Sequence, residues 1–210
     1  MKTYPIMLDM RGHLAVVVGA GEVGLRKVRL LLDAGAGVRL VTDQLPGDLG
    51  PLQKNDKLTV LNESYRKELL TGARLVFACT NDRQINSQIA ADARAAGALV
   101  NAADQNEDCD FFVPSVIQEG EVIVAVGTGG FAPAMAAWLR RHLETALPPR
   151  IGDFAAALAS LREHVRNLEP NANRRMELIK SISGSEGYEI YIQHGQEGLR
   201  RRIETAEQQE

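Results

Sequence analysis

Gly19, Gly21 and Gly24 form the pattern G-x-G-x-x-G, whose spacing suits a loop that holds a phosphate. The first glycine of such a loop permits a tight turn, the second lets a pyrophosphate approach the backbone, and the third allows a helix to pack closely on a strand. The unpaired amides at the start of that helix then face the phosphates. The pattern predicts a dinucleotide-binding loop, because an apolar strand precedes it and a helical pattern follows it.

Asp43 follows the second predicted strand and lies 19 positions after Gly24, from 24 to 43. An acid about 20 residues beyond the motif binds ribose hydroxyls, whereas a nearby arginine would accept a 2′-phosphate. No arginine comes directly after Asp43. The spacing therefore predicts that NAD is preferred to NADP. The alternative, a glycine-rich turn that binds nothing, is disfavoured because strand, motif, helix, strand and acid occur in this order.

Asp104 is the third candidate for chemistry, because it comes directly after the predicted strand Leu99–Ala102. Ligands of open α/β sheets bind beyond the carboxyl ends of the strands, so a carboxylate there is placed to act on a substrate. Asp104 could equally be a helix cap, a turn residue or a solvated acid. Asp108 and Asp110 lie close by in the sequence, and residue spacing alone does not choose among the three.

The elements that would position these residues alternate between strand and helix. Apolar, β-branched runs too short for helices predict strands, and the spacing of Val23, Val28 and Leu32 predicts the first helix. This alternation indicates a parallel sheet with helices on both faces. The predicted strands are 14–18, 38–42, 58–61, 75–79 and 99–102, and the second helix is 85–96.

The pattern changes after residue 110. Two extended runs, 111–117 and 122–126, are separated by four polar residues and predict a hairpin. Pro133 then opens an amphipathic helix that Pro148 and Pro149 stop. Beyond Arg150 we expect helices over 154–168, 172–182 and 196–205, with weak strand character at 188–192.

Composition excludes several classes of protein. The 210 residues are 45% hydrophobic and 24% charged, as in soluble globular proteins. The 24 basic and 27 acidic residues give a net charge of −3, which gives no indication of a nucleic-acid or membrane partner. No signal peptide or membrane span is expected. Cys79 and Cys109 are too few for a disulfide framework and lack zinc-site spacing, so we expect a reducing cytoplasm and no metal site.

Five motifs occur in order along the chain: YPIMLD (4–9), VGAGEVGLRKV (18–28) with LLL (30–32), VNAAD (100–104), FVPS (112–115) and VGTGGFAP (126–133). Together they resemble the precorrin-2 dehydrogenase family, which is the dehydrogenase module of siroheme synthase. The resemblance covers about residues 3 to 150 of the chain. Gly24 replaces an alanine common in the family, and Thr128 stands where some relatives carry serine, which leaves open whether that hydroxyl is regulatory.

The resemblance implies NAD-dependent oxidation of precorrin-2 to sirohydrochlorin, with Asp104 as the catalytic carboxylate. It implies that the glycine loop and the residues that match the family's other cofactor contacts hold NAD. Asp104 would assist proton loss or orient the substrate while NAD accepts the hydride. The implied cofactor-binding residues are Gly19, Gly21, Glu22, Val23, Gly24, Asp43, Gln44 and Thr80.

The resemblance also implies an organisation and a partner. The fold class is α/β: a Rossmann-like parallel sheet domain (1–111), a β-hairpin/helix dimerisation segment (112–149) and a small helical C-terminal domain (150–210). Family members are homodimers, and 112–147 would form the interface. The chain is too short for the methyltransferase that is fused to this module in larger siroheme synthases.

Two alternatives to a plain dehydrogenase remain open. A bifunctional dehydrogenase and ferrochelatase would use the same acid, and an NAD-sensing regulatory domain would need only the glycine loop and Asp43. The motifs at 100–104 and 112–133 count against the sensor. Because precorrin-2 carries eight carboxylates, basic residues are expected to hold it, although the same residues could simply form solvated helix faces. The candidates are Arg26, Lys27, Arg140, Arg141 and His142.

Overall fold

The structure is a computed structural model that describes residues 3–47 and 49–207. Contacts between Cα atoms divide the chain into two compact units. The first extends to Val113 and also includes Gly129–Phe131, and the second comprises Pro114–Thr128 and the chain from Ala132 onward. The parts of the predicted domains 1–111 and 150–210 that fall on residues 1, 2, 48 and 208–210 lie outside the described residues.

The first unit contains the parallel five-stranded sheet that the alternating pattern predicts. Its strands are β1 (Leu14–Val18), β2 (Gly37–Thr42), β3 (Leu58–Asn62), β4 (Ala73–Ala78) and β5 (Leu99–Ala102). Helix α1 (Glu22–Asp33) follows β1, and helix α2 (Arg83–Ala95) follows β4. The strand order is β3-β2-β1-β4-β5, and every neighbouring pair is parallel. The predicted Rossmann-like class is confirmed.

Helices pack on both faces of this sheet, which explains why its central strand β1 (LAVVV) is apolar throughout and does not alternate. On one face Val17 packs in a cluster with Val28 of α1. On the other face Val16 and Val76 pack in a cluster with Ile89 of α2. Full burial of each such side chain stabilises the fold by about 1.5 to 3 kcal/mol, so the packing fixes both helices against the strands.

The neighbouring strands β1 and β4 mark the point where the order of the sheet reverses. The helix that follows β1 packs on one face and the helix that follows β4 packs on the other. In open α/β sheets this arrangement leaves a crevice outside the carboxyl ends of the two strands, and ligands bind there. The glycine loop leaves β1 at that crevice.

The second unit combines a hairpin with four helices. The hairpin pairs β6 (Ser115–Glu119) with β7 (Val122–Val126) antiparallel, and helix α3 (Pro133–Ala146) packs against both strands. The Thr128 hydroxyl accepts a hydrogen bond from the Ala132 N–H (3.2 Å) just before α3. Helices α4 (Ile151–Leu168), α5 (Ala172–Ile182) and α6 (Ser185–Glu207) share one apolar cluster. No helix within the described residues is long and apolar enough to cross a membrane.

Two local expectations for the second unit are wrong. The segment 188–192 lies inside α6 and is not extended, because Tyr188 and Tyr191, three residues apart on one helix face, both pack against Phe154. Their ring centroids lie 5.6 and 5.5 Å from that of Phe154. The first strand of the hairpin begins at Ser115, later than the extended run from residue 111 predicts, because Pro114 has no N–H to donate to a ladder.

Candidate functional site

The loops that carry the candidate residues leave the same edge of the sheet. Backbone hydrogen bonds continue the strand ladders into these loops: Gly19 N–H donates to Val41 O (2.8 Å), and Cys79 N–H donates to Val18 O (2.8 Å). Ala103 N–H likewise donates to Ala78 O (2.9 Å). Because neighbouring strands lie about 4.8 Å apart, the loops after β2, β1, β4 and β5 form one continuous row.

Each glycine of the loop after β1 meets a different requirement. Gly19 has φ +104°, and a Cβ there would overlap the carbonyl oxygen of Cys79. A Cβ on Gly24 would overlap the carbonyl oxygen of Gly19. Gly21 differs from both, because a Cβ there would meet no protein atom within 4 Å. Gly19 and Gly24 are therefore required by the fold, whereas Gly21 keeps the outer side of the loop open.

The amino end of α1 is free to receive an anion. Gly21 is its N-cap residue with extended backbone, and no side chain among the described residues caps the first turn. Glu22 and Val23 begin the helix and are exposed. The uncapped amides and the positive end of the helix dipole favour a negative group at this point, so the residues present fit a pyrophosphate.

Asp43 and Gln44 lie next to the glycine loop, at the end of β2. Both side chains are exposed. The turn that carries them is fixed by Thr42, whose hydroxyl donates to Gln44 O (3.1 Å) and accepts from Gln44 N–H (3.2 Å). Asp43 is thus held at the sheet edge without a side-chain partner within the described residues.

Thr80 is held by a residue that the sequence analysis missed. Asn86 of α2 is 2% exposed, and its Oδ1 accepts from both the N–H and the hydroxyl of Thr80 (3.1 and 2.8 Å). Its Nδ2 donates to Thr80 O (3.0 Å). Asn86 thus engages the N–H, the carbonyl oxygen and the hydroxyl of Thr80, and it fixes the loop after β4 in place. The signal was a polar residue on the helix face shared with Ile89, Ala90 and Ala93.

Asp104 differs from every other acid of the loop after β5. Its φ of +58° lies in the left-handed region, which aspartate tolerates better than most residues but which remains uncommon. Its side chain is exposed, and no hydrogen bond or ion pair with residues 3–47 or 49–207 engages the carboxylate. Strained residues of this kind concentrate at functional sites.

The other two candidate acids have structural partners. Asp108 accepts from the Ser87 hydroxyl (2.6 Å), and Asp110 accepts from Arg94 Nε (2.8 Å) and Val100 N–H (3.0 Å). Both carboxylates therefore hold the loop after β5 against α2 and β5. Asp104 is the acid of the three that remains available for a ligand.

Neither cysteine is suited to nucleophilic chemistry. Burial raises the pKa of the Cys79 thiol to about 11, and burial also raises the pKa of Cys109. Both thiols are therefore protonated at neutral pH, whereas a nucleophile needs the thiolate. Within the described residues, no group of three or more His, Cys, Asp or Glu side chains is placed to hold a metal ion.

Lys27 is the basic candidate with the most distinctive surroundings. Its ammonium lies 5.6 Å from the centroid of the Phe77 ring, and burial lowers the pKa of the lysine. No carboxylate within the described part of the chain pairs with it. In the second unit, Arg140 pairs with Glu144 (2.7 Å), which neutralises that candidate locally.

Comparison with known proteins identifies a family and several relatives. The family described as "Putative NAD(P)-binding" matches residues 6–115, which include the glycine loop, Asp43 and Asp104. A siroheme synthase from Pseudomonas putida is 39% identical over 175 residues, covering 83% of this chain and 38% of that protein. A siroheme synthase from Nitrosococcus oceani is 37% identical over 201 residues, covering 94% of this chain and 42% of that protein. The chain thus spans about two fifths of the length of these relatives.

A solved structure has the same fold. The protein "SirC, precorrin-2 dehydrogenase" superposes with a TM-score of 0.77, covering 97% of this chain and 100% of that one, at 21% sequence identity. The sheet, the hairpin and the helices that follow it are therefore a known combination.

Proposed function

The chain belongs to the NAD(P)-binding family that matches residues 6–115, and from this premise we propose that it oxidises precorrin-2 to sirohydrochlorin with NAD as the oxidant. The observation that carries the proposal is the Asp104 carboxylate, which has no partner among the described residues and whose backbone is left-handed, at the sheet edge that also carries the glycine loop. The identity with siroheme synthases over 175 residues supports the choice of a tetrapyrrole substrate.

In this proposal different residues at the sheet edge bind the cofactor, take up the proton and contact the substrate. Gly21 and the uncapped start of α1 would hold the cofactor pyrophosphate, and Asp43 would accept hydrogen bonds from the ribose hydroxyls. When bound, NAD supplies a hydride acceptor. Asp104 would take up the proton that leaves the substrate, on a carboxylate oxygen that no protein donor occupies within the described residues. Lys27, whose ammonium has no carboxylate partner in the described part of the chain, would contact a substrate carboxylate.

The proposal is tested by an anaerobic assay of the purified chain with precorrin-2 and NAD⁺. We expect sirohydrochlorin and NADH to appear in equal amounts, since loss of one hydride and one proton from the substrate reduces one NAD⁺. Mixtures that lack protein or NAD⁺ control for spontaneous oxidation. If the wild-type chain forms neither product above these controls, the proposed function is wrong.

We expect that Asp43→Asn weakens the preference for NAD over NADP by about tenfold or more, because the variant removes the charge that would repel a 2′-phosphate. The measurement is kcat/KM with each cofactor. The control is Asp56→Asn, which changes an exposed acid beside the amino end of β3, at the opposite edge of the sheet. An unchanged cofactor ratio in Asp43→Asn would remove Asp43 from the ribose site.

We also propose that the chain forms a homodimer through the hairpin and α3. One face of the hairpin carries Val116 and Ile123, which are 41% and 44% exposed, and α3 exposes Met135 and Trp138 at 53% and 55%. A two-stranded hairpin needs apolar cover to be stable in water. A second copy of the chain would supply that cover.

For the dimer, Ile123→Lys is expected to raise the dissociation constant at least about tenfold, because the lysine places a charge on the apolar hairpin face. Sedimentation equilibrium across a range of concentrations measures it. Leu30→Lys is the matched control, since Leu30 is 50% exposed but lies on α1. A wild-type chain that stays monomeric at every concentration would contradict the dimer.

The proposed location is the cytoplasm. Cys79 and Cys109 are both buried and unpaired, as is usual for proteins of a reducing compartment.

A further inference from the structure

Gln105, which directly follows Asp104, is one of three buried polar residues in the described part of the chain. Its side chain is 3% exposed, and its Nε2 lies within hydrogen-bond distance of three acceptors of the first unit. These are Ser87 Oγ (2.8 Å), Asp108 Oδ2 (3.0 Å) and Arg83 O (3.3 Å). Arg83 and Ser87 belong to α2, so the amide ties the loop after β5 to that helix.

The other end of the same amide has no partner. Gln105 Oε1 is buried, and no donor within residues 3–47 or 49–207 reaches it. A buried oxygen without a hydrogen bond destabilises a fold by about 1 to 3 kcal/mol. An apolar side chain of similar length would avoid that penalty. Glutamine at this position is therefore better explained by the hydrogen bonds of its Nε2, which tie the loop after β5 to α2, than by a gain in stability.

Backbone contacts fix Gln105 from a second direction. Its carbonyl oxygen accepts from Asp108 N–H (3.0 Å) and from the Cys109 thiol (3.3 Å). On the other side of Asp104, Ala103 N–H is bonded to Ala78 O of β4 (2.9 Å). Asp104 thus lies between two anchored residues, which hold its backbone in the left-handed conformation against the strain.

From these contacts we propose that Gln105 is a positioning residue for Asp104: its amide, bound to Ser87 and Asp108, holds the Asp104 carboxylate at the place where the substrate proton leaves. The inference rests on the proposed function of Asp104. Displacement of a reacting group by about 1 Å lowers a rate by up to about 100-fold, so a loosened anchor would reduce kcat while cofactor and substrate still bind.

The test compares Gln105→Met with the wild type. Methionine keeps the length of the side chain but cannot donate a hydrogen bond. We expect kcat to fall by about tenfold, with KM for NAD⁺ and for precorrin-2 changed by less than about twofold. Ser87→Ala removes one acceptor of the Gln105 amide at an exposed position, and it is also expected to lower kcat. This variant replaces Gln105→Met in the test if Gln105→Met does not fold. Gln88→Met, on the same helix and bonded only locally to Asp92, is the matched control.

A double-mutant cycle separates positioning from general damage. In the Asp104→Asn background, Gln105→Met should cause no further loss, because the group that it positions is already gone. An unchanged kcat in both Gln105→Met and Ser87→Ala, or an equal loss in the two backgrounds, would overturn the proposal. Hydrogen exchange at the Ala103 and Asp108 amides, which donate to Ala78 O and to Gln105 O, tests the anchor independently of activity. If Asp104→Asn is fully active, the proposed function fails, whereas faster exchange in Gln105→Met would still support the anchor and unchanged exchange would refute it.

Discussion

Asp104→Asn is expected to lower kcat for precorrin-2 oxidation by about 100-fold or more, the usual contribution of a positioned acid or base. Asparagine has the same shape and tolerates the left-handed backbone, but its amide cannot take up a proton at neutral pH. NAD⁺ affinity should stay within about twofold, because Asp104 lies in the loop after β5, three strands from the loop after β2 that carries Asp43. The measurements are steady-state kinetics and a cofactor titration. Glu107→Gln, an exposed neighbouring acid paired with Arg83, is the control.

A companion variant distinguishes a residue kept for chemistry from one kept for structure. Asp104→Gly removes the carboxylate and also the Cβ that makes φ +58° unfavourable. It should be as inactive as Asp104→Asn while being as stable as the wild type, or more stable by up to about 1 kcal/mol. Denaturant unfolding measures this difference. A clear loss of stability in Asp104→Gly would show that the side chain supports the fold, and retained activity in either variant would end the catalytic assignment.

The second large effect separates two glycines of one motif. Gly19→Ala should destabilise the first unit by about 2 to 5 kcal/mol, because the new Cβ combines backbone strain at φ +104° with overlap on the Cys79 carbonyl. Gly21→Ala should change stability by less than about 1 kcal/mol, since φ is −68° and the Cβ enters open space. It should nevertheless weaken NAD⁺ binding at least about tenfold, because that space is where the pyrophosphate would lie.

Two measurements on Gly19→Ala and Gly21→Ala test whether the first glycine is needed for stability and the second for cofactor binding. Chemical denaturation gives the stability of each variant, and calorimetric titration with NAD⁺ gives the affinity. Equal destabilisation by the two substitutions would contradict the distinction drawn from the geometry. Wild-type cofactor affinity in Gly21→Ala would show that the open side of the loop is not the phosphate site.

Local patterns in the sequence were sufficient for the parallel sheet and the glycine loop. The strand at Leu14–Val18 and the helix after it depend on periodicity within a few residues, which is visible without a structure. The segment 188–192 was misassigned because its helical state depends on packing of Tyr188 and Tyr191 on Phe154, more than thirty positions earlier. Tertiary contacts of this kind override local preference.

The choice among the three acids was beyond the sequence for the same reason. Asp108 and Asp110 are distinguished from Asp104 by partners on α2, namely Ser87 and Arg94, which are 21 and 16 positions away. Residue spacing does not reveal such pairs. Asn86 is the opposite case, since a polar residue on an apolar helix face is visible in the sequence and marks a buried hydrogen-bond network.

The pairing of β1 with β4 has a consequence for how the chain folds. Leu14 pairs with Ala73, 59 positions later, so the chain must close a long loop before the two central strands of the sheet can pair. Such non-local pairing slows folding to the order of milliseconds or longer. Until β4 arrives, the sequence LAVVV has one unprotected edge and is prone to aggregate. Gly19 packs on the Cys79 carbonyl just after β4, so a nicotinamide cofactor held by the glycine loop would stabilise the assembled sheet and not β1 alone.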